Sequence, residues 1–562
     1  MSALEWIALA AAALAILVVL AGRLHLLLHM LQQEHYELRR LRVWVARWGG
    51  RVDGRDLPIA FGAAWLPAIA LVLDLPGLAA ALGLLALGLA AARVRAVIRR
   101  SQVKPLVFTP RARRLYAAAL VLAALPLLAA LVVGAAAGDA YLGGLLLALV
   151  GGLLTIGAPE LLGLALALLR PVQRADNARF ERRARRRLAE VDPLVIGITG
   201  SYGKTTAKGC VARVADLGGP TLPTPASFNS YLGVIRTINE NLRPNHRNFV
   251  VEMGAYRRGD IAELCELVHP KIGVLTAIGP AHLERFGSLE EIAKAKSELG
   301  ESLPEDGAFV TRADDERCRD AAERVSCPVR LFAPEPHPDA FAWAEETELD
   351  RGRTRFQLCL RAAGGEGDVS RHPVSARLLG THNVGNLLAA AAVGAELGLA
   401  PEQIARALGQ VSPPEHRLAP IVNRAAGIVV IDDAYNANPA GARAALEVLG
   451  AHPGDRRVLV TPGMVELGER QEEENRRFGE AAAEVCDVVI LVGAEQTEPI
   501  RAGLEAAGFP GEATHVVADS GAAAQLLGQS SQAGDVILFE NDLPDLYRRP
   551  SGDQGGAAAP AA

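Results

Sequence analysis

The stretch Val195-Ile-Gly-Ile-Thr-Gly-Ser-Tyr-Gly-Lys-Thr-Thr206 decides how the rest of the chain is read. Val195, Ile196 and Ile198 have the length and apolar character of a short buried strand. Gly197, Gly200 and Gly203 punctuate the strand and the turn after it, and Lys204-Thr205-Thr206 opens a helix. Glycines that can take φ > 0 let backbone N–H groups close on phosphate oxygens, and a helix N-terminus adds its positive end. The reading is a nucleotide triphosphate cradle in which Gly200, Ser201, Gly203, Lys204, Thr205 and Thr206 bind the nucleotide. Lys204 reaches the outer phosphates and the Thr205 hydroxyl serves Mg²⁺. The stretch departs from the strict phosphate-loop pattern, which has glycine where this chain has Ile198.

A chain of 562 residues is too long for one domain. Half of it is hydrophobic but only 5% is aromatic, and the net charge of −5 averages a basic first third with an acidic remainder. The six cysteines form no C-x-x-C pair, which argues against a structural zinc site and a disulfide framework.

Apolar runs fill the first 170 residues: Leu4 to Gly22, Leu57 to Val94 broken at Asp74-Leu-Pro76, Leu115 to Gly138, and Tyr141 to Leu169. A spanning helix needs about 20 such residues, so five spans are expected, the last overlong. A cleaved signal peptide is disfavoured by the missing basic n-region. The basic connections Arg23 to Asp56 and Arg93 to Arg114 both fall inside if the N-terminus is external, as does everything after Arg170. The expected localisation is therefore multi-pass in a bacterial inner membrane with cytoplasmic catalytic domains. The cluster Arg182, Arg183, Arg185, Arg186 and Arg187 reads as a stop-transfer flank, or more sharply as a clamp on anionic headgroups. No aromatic residues interleave it, so nucleic acid is not an expected partner.

From Val191 short apolar strands alternate with helical patterns, as in α/β domains with parallel sheets. The polar loop Thr221 to Gly233, containing Asn229, sits where such sheets place ligands. Asn248 to Gly254 reads as a buried strand ending in Glu252, a carboxylate placed to hold Mg²⁺. Ile272 to Thr276 is the next strand, followed by His282. Ser288 opens a helix carrying Lys294 and Lys296. The Gly/Ala/Pro-rich tail from Pro550 has a disordered composition.

Taken in order, these segments resemble the Mur ligases. Gly197 to Thr206 is similar to that family's phosphate loop, which departs from the strict pattern in the same way. Val251-Glu-Met-Gly-Ala255 resembles its metal-binding strand end. Gly279-Pro-Ala-His-Leu-Glu-Arg-Phe-Gly-Ser-Leu289 with Ala293-Lys-Ala-Lys296 resembles the branch that adds D-alanyl-D-alanine. Gly380-Thr-His-Asn-Val-Gly-Asn386 resembles the adenine-side motif, and His416-Arg-Leu418 the opening of the C-terminal domain. Ile431-Asp-Asp-Ala-Tyr-Asn-Ala-Asn-Pro439 matches the branch's pattern with Ala434 in place of serine.

The resemblance covers about Val191 to Tyr547. It implies an α-helical membrane domain (1–170), a basic linker (171–190), a central P-loop ATP-binding domain (191–412), a C-terminal Rossmann-like α/β domain (413–547) and a tail (548–562). It implies an ATP-dependent amide ligase that forms an acyl phosphate, which an amine then attacks. Lys204, His282, Lys296 and Arg417 are the implied catalytic residues. Asn386, Arg417 and Asp433 join the phosphate loop in holding ATP. Thr205, Glu252, His282 and Lys296, the last carbamylated, are implied to hold two Mg²⁺ ions. Asn229, Tyr435, Asn436 and Asn438 line the substrate cleft.

The N-terminal block replaces the family's UDP-binding domain and leaves the acceptor open. It is a muramoyl-peptide, a lipid-linked peptidoglycan intermediate or a polyglutamate-like polymer, and membrane lipid is an expected partner. A nucleotide-binding scaffold without turnover is the non-enzymatic alternative, and it has no need for the whole set of site residues.

Overall fold

The computed structural model describes residues 2–34, 36–53, 62, 66–67, 69–71, 73, 75–98, 106–226, 228–281, 283–350, 352–361, 368–434, 437–465 and 467–542. The chain divides into two compact units, one running to Asp176 and the other covering Asn177–Asp542.

The first unit is helical. Ser2 and Glu5 form a capping box that starts the helix Ala3–Gln33. This helix packs along Pro76–Ile98, and small residues set the approach: a Cβ on Gly83 would come within 3.1 Å of the Ala11 Cβ. Gly138 closes the helix Pro110–Ala137 at φ 65°, and the next residue, Asp139, caps Ala140–Ile156 through the Tyr141 and Leu142 N–H groups. Among the described residues three helices are long and apolar enough to cross a membrane by length and composition, Ala3–Gln33, Pro76–Arg95 and Pro110–Ala137, and one bent helix pair passes the same test together. The expected span before Asp74 lies mostly outside the described residues. The overlong last run is not one straight helix. It divides at Gly157 into Ala140–Ile156 and Ala158–Val191, bent by 74°. Pro159 has no N–H with which to continue the preceding helix, which accounts for the break. The second of these helices continues through the expected basic linker.

The second unit holds two sheets. In the first, β1 (Leu194–Thr199), β2 (Thr221–Pro223), β3 (Asn248–Glu252), β4 (Ile272–Leu275), β5 (Ala308–Arg312), β6 (Val329–Ala333), β7 (Ala342–Asp350), β8 (Arg353–Arg361) and β9 (Val369–Ala376) take the order β2-β3-β1-β4-β5-β6-β7-β8-β9. The pairings from β2 to β7 are parallel, and β8 and β9 add an antiparallel end. β1 is flanked by β3 and β4, although β2 follows it in sequence. The chain therefore reverses its direction of travel across the sheet beside β1, and such a switch point opens a crevice at the carboxyl ends of the strands. The central strands β1, β3, β4 and β5 are buried along almost their whole length because helices cover both faces, among them Lys204–Ala215, His382–Glu396 and Leu289–Glu301.

The second sheet contains β10 (Ala419–Asn423), β11 (Ile428–Asp433), β12 (Arg456–Thr461), β13 (Val488–Val492), β14 (Thr514–Val517) and β15 (Asp535–Glu540), in the order β10-β11-β15-β12-β13-β14. All its pairings are parallel except that of edge strand β10. β15, last in sequence, is inserted between β11 and β12, so its carboxyl end lies beside that of β11.

The Thr221 to Gly233 segment is more ordered than a loop. Its start pairs with β3 as β2, and Ser230 caps a helix, Tyr231–Asn241, by accepting the Gly233 N–H.

Candidate active site

The crevice at the end of β1 is built by three neighbouring strand ends. Ile198 of β1 is in register with Glu252 of β3, and Thr199 with Leu275 of β4. Ile198 is fully buried in the strand, so the glycine of the strict pattern is not needed there. The bend comes afterwards, at Gly200 (φ 146°) and Gly203 (φ 79°). A Cβ at Gly200 would lie 2.1 Å from Thr276 Oγ1, and one at Gly203 2.6 Å from Asn386 Oδ1, so neither position admits a side chain. Ser201 is laced to the segment after β4: its N–H donates to Ala277 O at 2.8 Å and its hydroxyl to Gly279 O at 2.8 Å.

Gly203 caps the helix Lys204–Ala215 without a side-chain acceptor. The first N–H groups of that helix are the donors a phosphate uses. Lys204 is half-buried and curls back to donate to the Gly200 and Ser201 carbonyls. Burial pushes its ammonium below the ordinary lysine range. The Arg417 charge adds to that fall, while Glu252 opposes it. Thr206 is buried beneath the loop.

Glu252 is the electrostatic centre. Its side chain is 1% exposed, yet four groups engage it. Thr205 Oγ1 donates to Oε2 at 3.1 Å, Lys208 Nζ to Oε2 at 3.0 Å, and Asn229 Nδ2 to Oε1 at 3.0 Å. The Glu252 N–H itself donates to Thr224 Oγ1 at 3.1 Å. Burial alone would raise this carboxyl, but the Lys208 and Lys204 charges and the hydrogen bonds outweigh it and hold Glu252 below the usual range. Lys296, on the helix Leu289–Glu301, is 3% exposed. Burial first and the Lys204 charge second push its amine well below the lysine range, against the pull of Asp260 and Glu298.

On the other side of the loop, Asn386 donates to Asn383 Oδ1 at 2.9 Å, and Asn383 to Leu379 O at 2.7 Å. This fixes the Asn386 amide over Gly203. From the second sheet, Arg417 is carried on a turn whose flanking residues, His416 (φ 58°) and Leu418 (φ 48°), are both left-handed. Asp433 Oδ1 accepts the Leu418 N–H at 3.1 Å, and His416 Nδ1 lies 2.7 Å from Asp432 Oδ2. The Arg417 charge acts on both Lys204 and Asp433, so the two sheets converge electrostatically on one cleft.

Of the expected substrate residues, Asn229 is on Glu252, and Asn438 caps the helix Pro439–Ala451 by accepting the Gly441 N–H at 2.9 Å. His282, Tyr435 and Asn436 lie outside the described residues. Lys208, Thr224, Asn383, Asn541 and Glu540 are functional neighbours that sequence reasoning missed. Lys208 had a legible signal, being four residues beyond Lys204 on the same helix. Glu540 and Asn541 had none, because only the insertion of β15 brings them to the cleft. Asn541 Oδ1 accepts the Ala437 N–H at 3.2 Å, and its Nδ2 donates to Gly463 O at 2.6 Å.

The donor set fits Mg²⁺-nucleotide. Among the described residues no cluster of three or more His, Cys, Asp or Glu could hold a metal by itself. One carboxylate and one hydroxyl beside a phosphate loop is how Mg²⁺ is bound together with substrate phosphates. The fold and site together define an enzyme class that handles Mg²⁺-nucleotide triphosphate, with a central nucleotide-binding domain and a second α/β domain bearing an arginine.

Comparison with known proteins makes the assignment specific. Residues 198–394 match the Mur ligase middle domain, and residues 416–540 match the Mur ligase, glutamate ligase domain. A UDP-N-acetylmuramoyl-tripeptide–D-alanyl-D-alanine ligase from Mycobacterium leprae is 36% identical over 62% of this chain and 70% of its own length. MurF from Acinetobacter baumannii superposes with a TM-score of 0.56 at 28% identity, covering 64% of this chain and 76% of that one. The Thermotoga maritima MurF ligase in complex with ADP gives 0.57 at 27%, covering 65% and 80%. The chain belongs to the Mur ligase family, ATP-dependent amide ligases of peptidoglycan synthesis that use Mg²⁺.

The same comparisons correct the expected localisation. The matched relatives are MurF ligases, which are cytoplasmic soluble enzymes, and the multi-pass inner-membrane assignment is withdrawn. It rested on helix length, hydropathy and the placement of basic connections, which describe whether and how a helix could cross a bilayer and do not locate the chain.

Proposed function

We propose that this ligase adds D-alanyl-D-alanine to a UDP-muramoyl-tripeptide, the reaction named for its relatives. The carrying observation is the convergence of the phosphate loop, the buried Glu252 cluster and Arg417 on one cleft. In this reading Gly200, Ser201, Gly203 and Thr206 shape the triphosphate cradle, and Asn386 and Asp433 hold the nucleotide at either side. Thr205 and Glu252 hold Mg²⁺, with His282 and Lys296 serving a second ion. Bound Mg²⁺ supplies neutralisation of phosphate charge.

Lys204 and Arg417 stabilise charge on the phosphoryl group as it moves to the acceptor carboxylate. The carboxylate oxygen forms the new P–O bond while the bond to the ADP oxygen breaks. The dipeptide amine then attacks the acyl carbon, inorganic phosphate leaves, and the amine gives up a proton. Asn229 and Asn438, with Tyr435 and Asn436, line the acceptor side.

Lys296 is suited to carbamylation. A buried amine held neutral is nucleophilic towards CO₂, and the carbamate carries the negative charge that a site for a second cation requires.

The test is ADP release by the 562-residue chain with Mg²⁺-ATP, D-alanyl-D-alanine and UDP-muramoyl-tripeptide. Turnover supports the reading. Turnover only with a lipid-linked precursor replaces the acceptor, and ATP binding without turnover on either overturns the assignment.

A further inference from the structure

Glu540 is the last residue of β15 and lies in register with Asp433 at the end of β11. Residues directly opposite on paired strands direct their side chains to the same face of the sheet. The Glu540 side chain is 1% exposed, and its Oε2 has no hydrogen-bond partner among the described residues. No step of the proposed reaction uses it.

Two buried carboxyl groups side by side on paired strands disfavour ionisation of both. Burial first, and the Asp433 charge second, push Glu540 well above the usual carboxylate range. Burial also raises Asp433, but Arg417 and the hydrogen bonds from Glu540 and the Leu418 N–H work against that rise. Of the two, Glu540 is pushed further toward the protonated form. The charges acting on Glu540 are Asp433 and Arg417. Asp432 acts on Asp433 from its own strand, and Asp542 follows on the strand end. Neighbouring β12 ends in the uncharged Val460 and Thr461. The helix Pro439–Ala451, packed on β15, carries Arg443 and Glu447, which are not among the charges acting on Glu540.

We propose that Glu540 is a positioning residue that acts through Asp433: its carboxyl donates a hydrogen bond to the Asp433 carboxylate, which holds the Leu418 N–H and with it the turn carrying Arg417. That turn needs an anchor. Two left-handed non-glycine residues in three positions are costly, and they persist only where their surroundings over-determine them. Relaxation of the turn would move the Arg417 guanidinium away from the phosphate loop. The inference rests on the reading of Arg417 as the group that neutralises the transferred phosphoryl.

The experiment compares wild type with E540Q, which keeps a donor for Asp433 but cannot ionise, and with E540A, which keeps neither. In ADP-release assays E540A loses about tenfold in kcat, on the scale of a small misplacement of a catalytic group. E540Q retains most of the wild-type rate at neutral pH. Wild-type kcat declines on the alkaline side as Glu540 ionises beside Asp433, and the E540Q profile lacks that decline.

A substrate-free arm measures Tm against pH. Glu540 binds its proton more tightly folded than unfolded. Its contribution to stability is therefore complete below the ordinary glutamate range and is lost as pH rises through its raised folded value. The Tm advantage of E540Q over wild type should grow as pH rises from the ordinary glutamate range through neutral and into the alkaline range. E540Q as impaired as E540A, or melting curves that stay parallel across that range, overturns the proposal. If wild type itself fails to turn over, the assignment of substrates falls, and the melting comparison alone decides the carboxyl pair.

Discussion

Replacing Lys208 with methionine isolates the interaction at the centre of the site. Lys208 and Glu252 form an ion pair at 3.0 Å, with side-chain exposures of 7% and 1%. At an effective dielectric of about 20, two unit charges at that separation attract by about 5 kcal/mol. Thr205 and Asn229 remain on the carboxylate in the variant, so part of its stabilisation survives. Removing one partner of a buried pair costs about 3–5 kcal/mol, and we expect K208M near the lower end. The assay is denaturant unfolding of wild type, K208M, E252Q and K208M/E252Q. Because each single change strands the other group, the double variant should be more stable than additivity predicts, with a coupling of about 2 kcal/mol. The pH dependence has a definite sign. Glu252 is held below its unfolded value, so its stabilisation is present above the ordinary glutamate range and lost as pH falls through the depressed value. The K208M deficit should therefore shrink on acidification from neutral pH. Strict additivity, or a deficit that does not change with pH, refutes the reasoning.

K204A should lower ADP-coupled amide formation about 100- to 1,000-fold, the scale of losing one preorganised donor to transition-state charge, and turnover at the wild-type rate would refute the assigned role. G203A combines a φ of 79° with a Cβ 2.6 Å from Asn386 Oδ1; it should cost about 1–3 kcal/mol of stability and weaken ADP binding, measured by calorimetry. The Lys296 amine, held well below the lysine range, should add CO₂ near neutral pH. Carbon-13 bicarbonate should give a carbamate resonance in wild type that K296A lacks, and activity after degassing should recover with added bicarbonate.

Local chemistry made much of the site legible. The glycines and Lys204-Thr205-Thr206 predict a phosphate loop because backbone freedom, a helix start and a lysine act within a few residues of each other. Glu252 was legible as a carboxylate at a strand end, since apolar Phe249 to Val251 predict a buried strand terminating there. Ser288 was legible as a cap, and its hydroxyl does accept the Glu291 N–H. The illegible residues act across long sequence separations. Asn386 was expected beside the nucleotide only through the family resemblance, since no local signal puts its amide over Gly203, and nothing in Asp535 to Asn541 indicates a place beside Asp433. The bend at Gly157 was also missed, because hydropathy sums over a window and does not register the missing N–H of one proline.

The sequence by itself determined the class of chemistry: a nucleotide cradle, a carboxylate at the end of a neighbouring buried strand and a run of α/β patterns around them. Those features depend on residue type and short spacing. Tertiary structure alone decided which charges meet. Lys208 neutralises Glu252 because β3 lies beside β1, and Glu540 faces Asp433 because β15 inserts between β11 and β12. Charge interactions fall with distance in space, and strand order, which sets that distance, is fixed by the packing of the whole sheet.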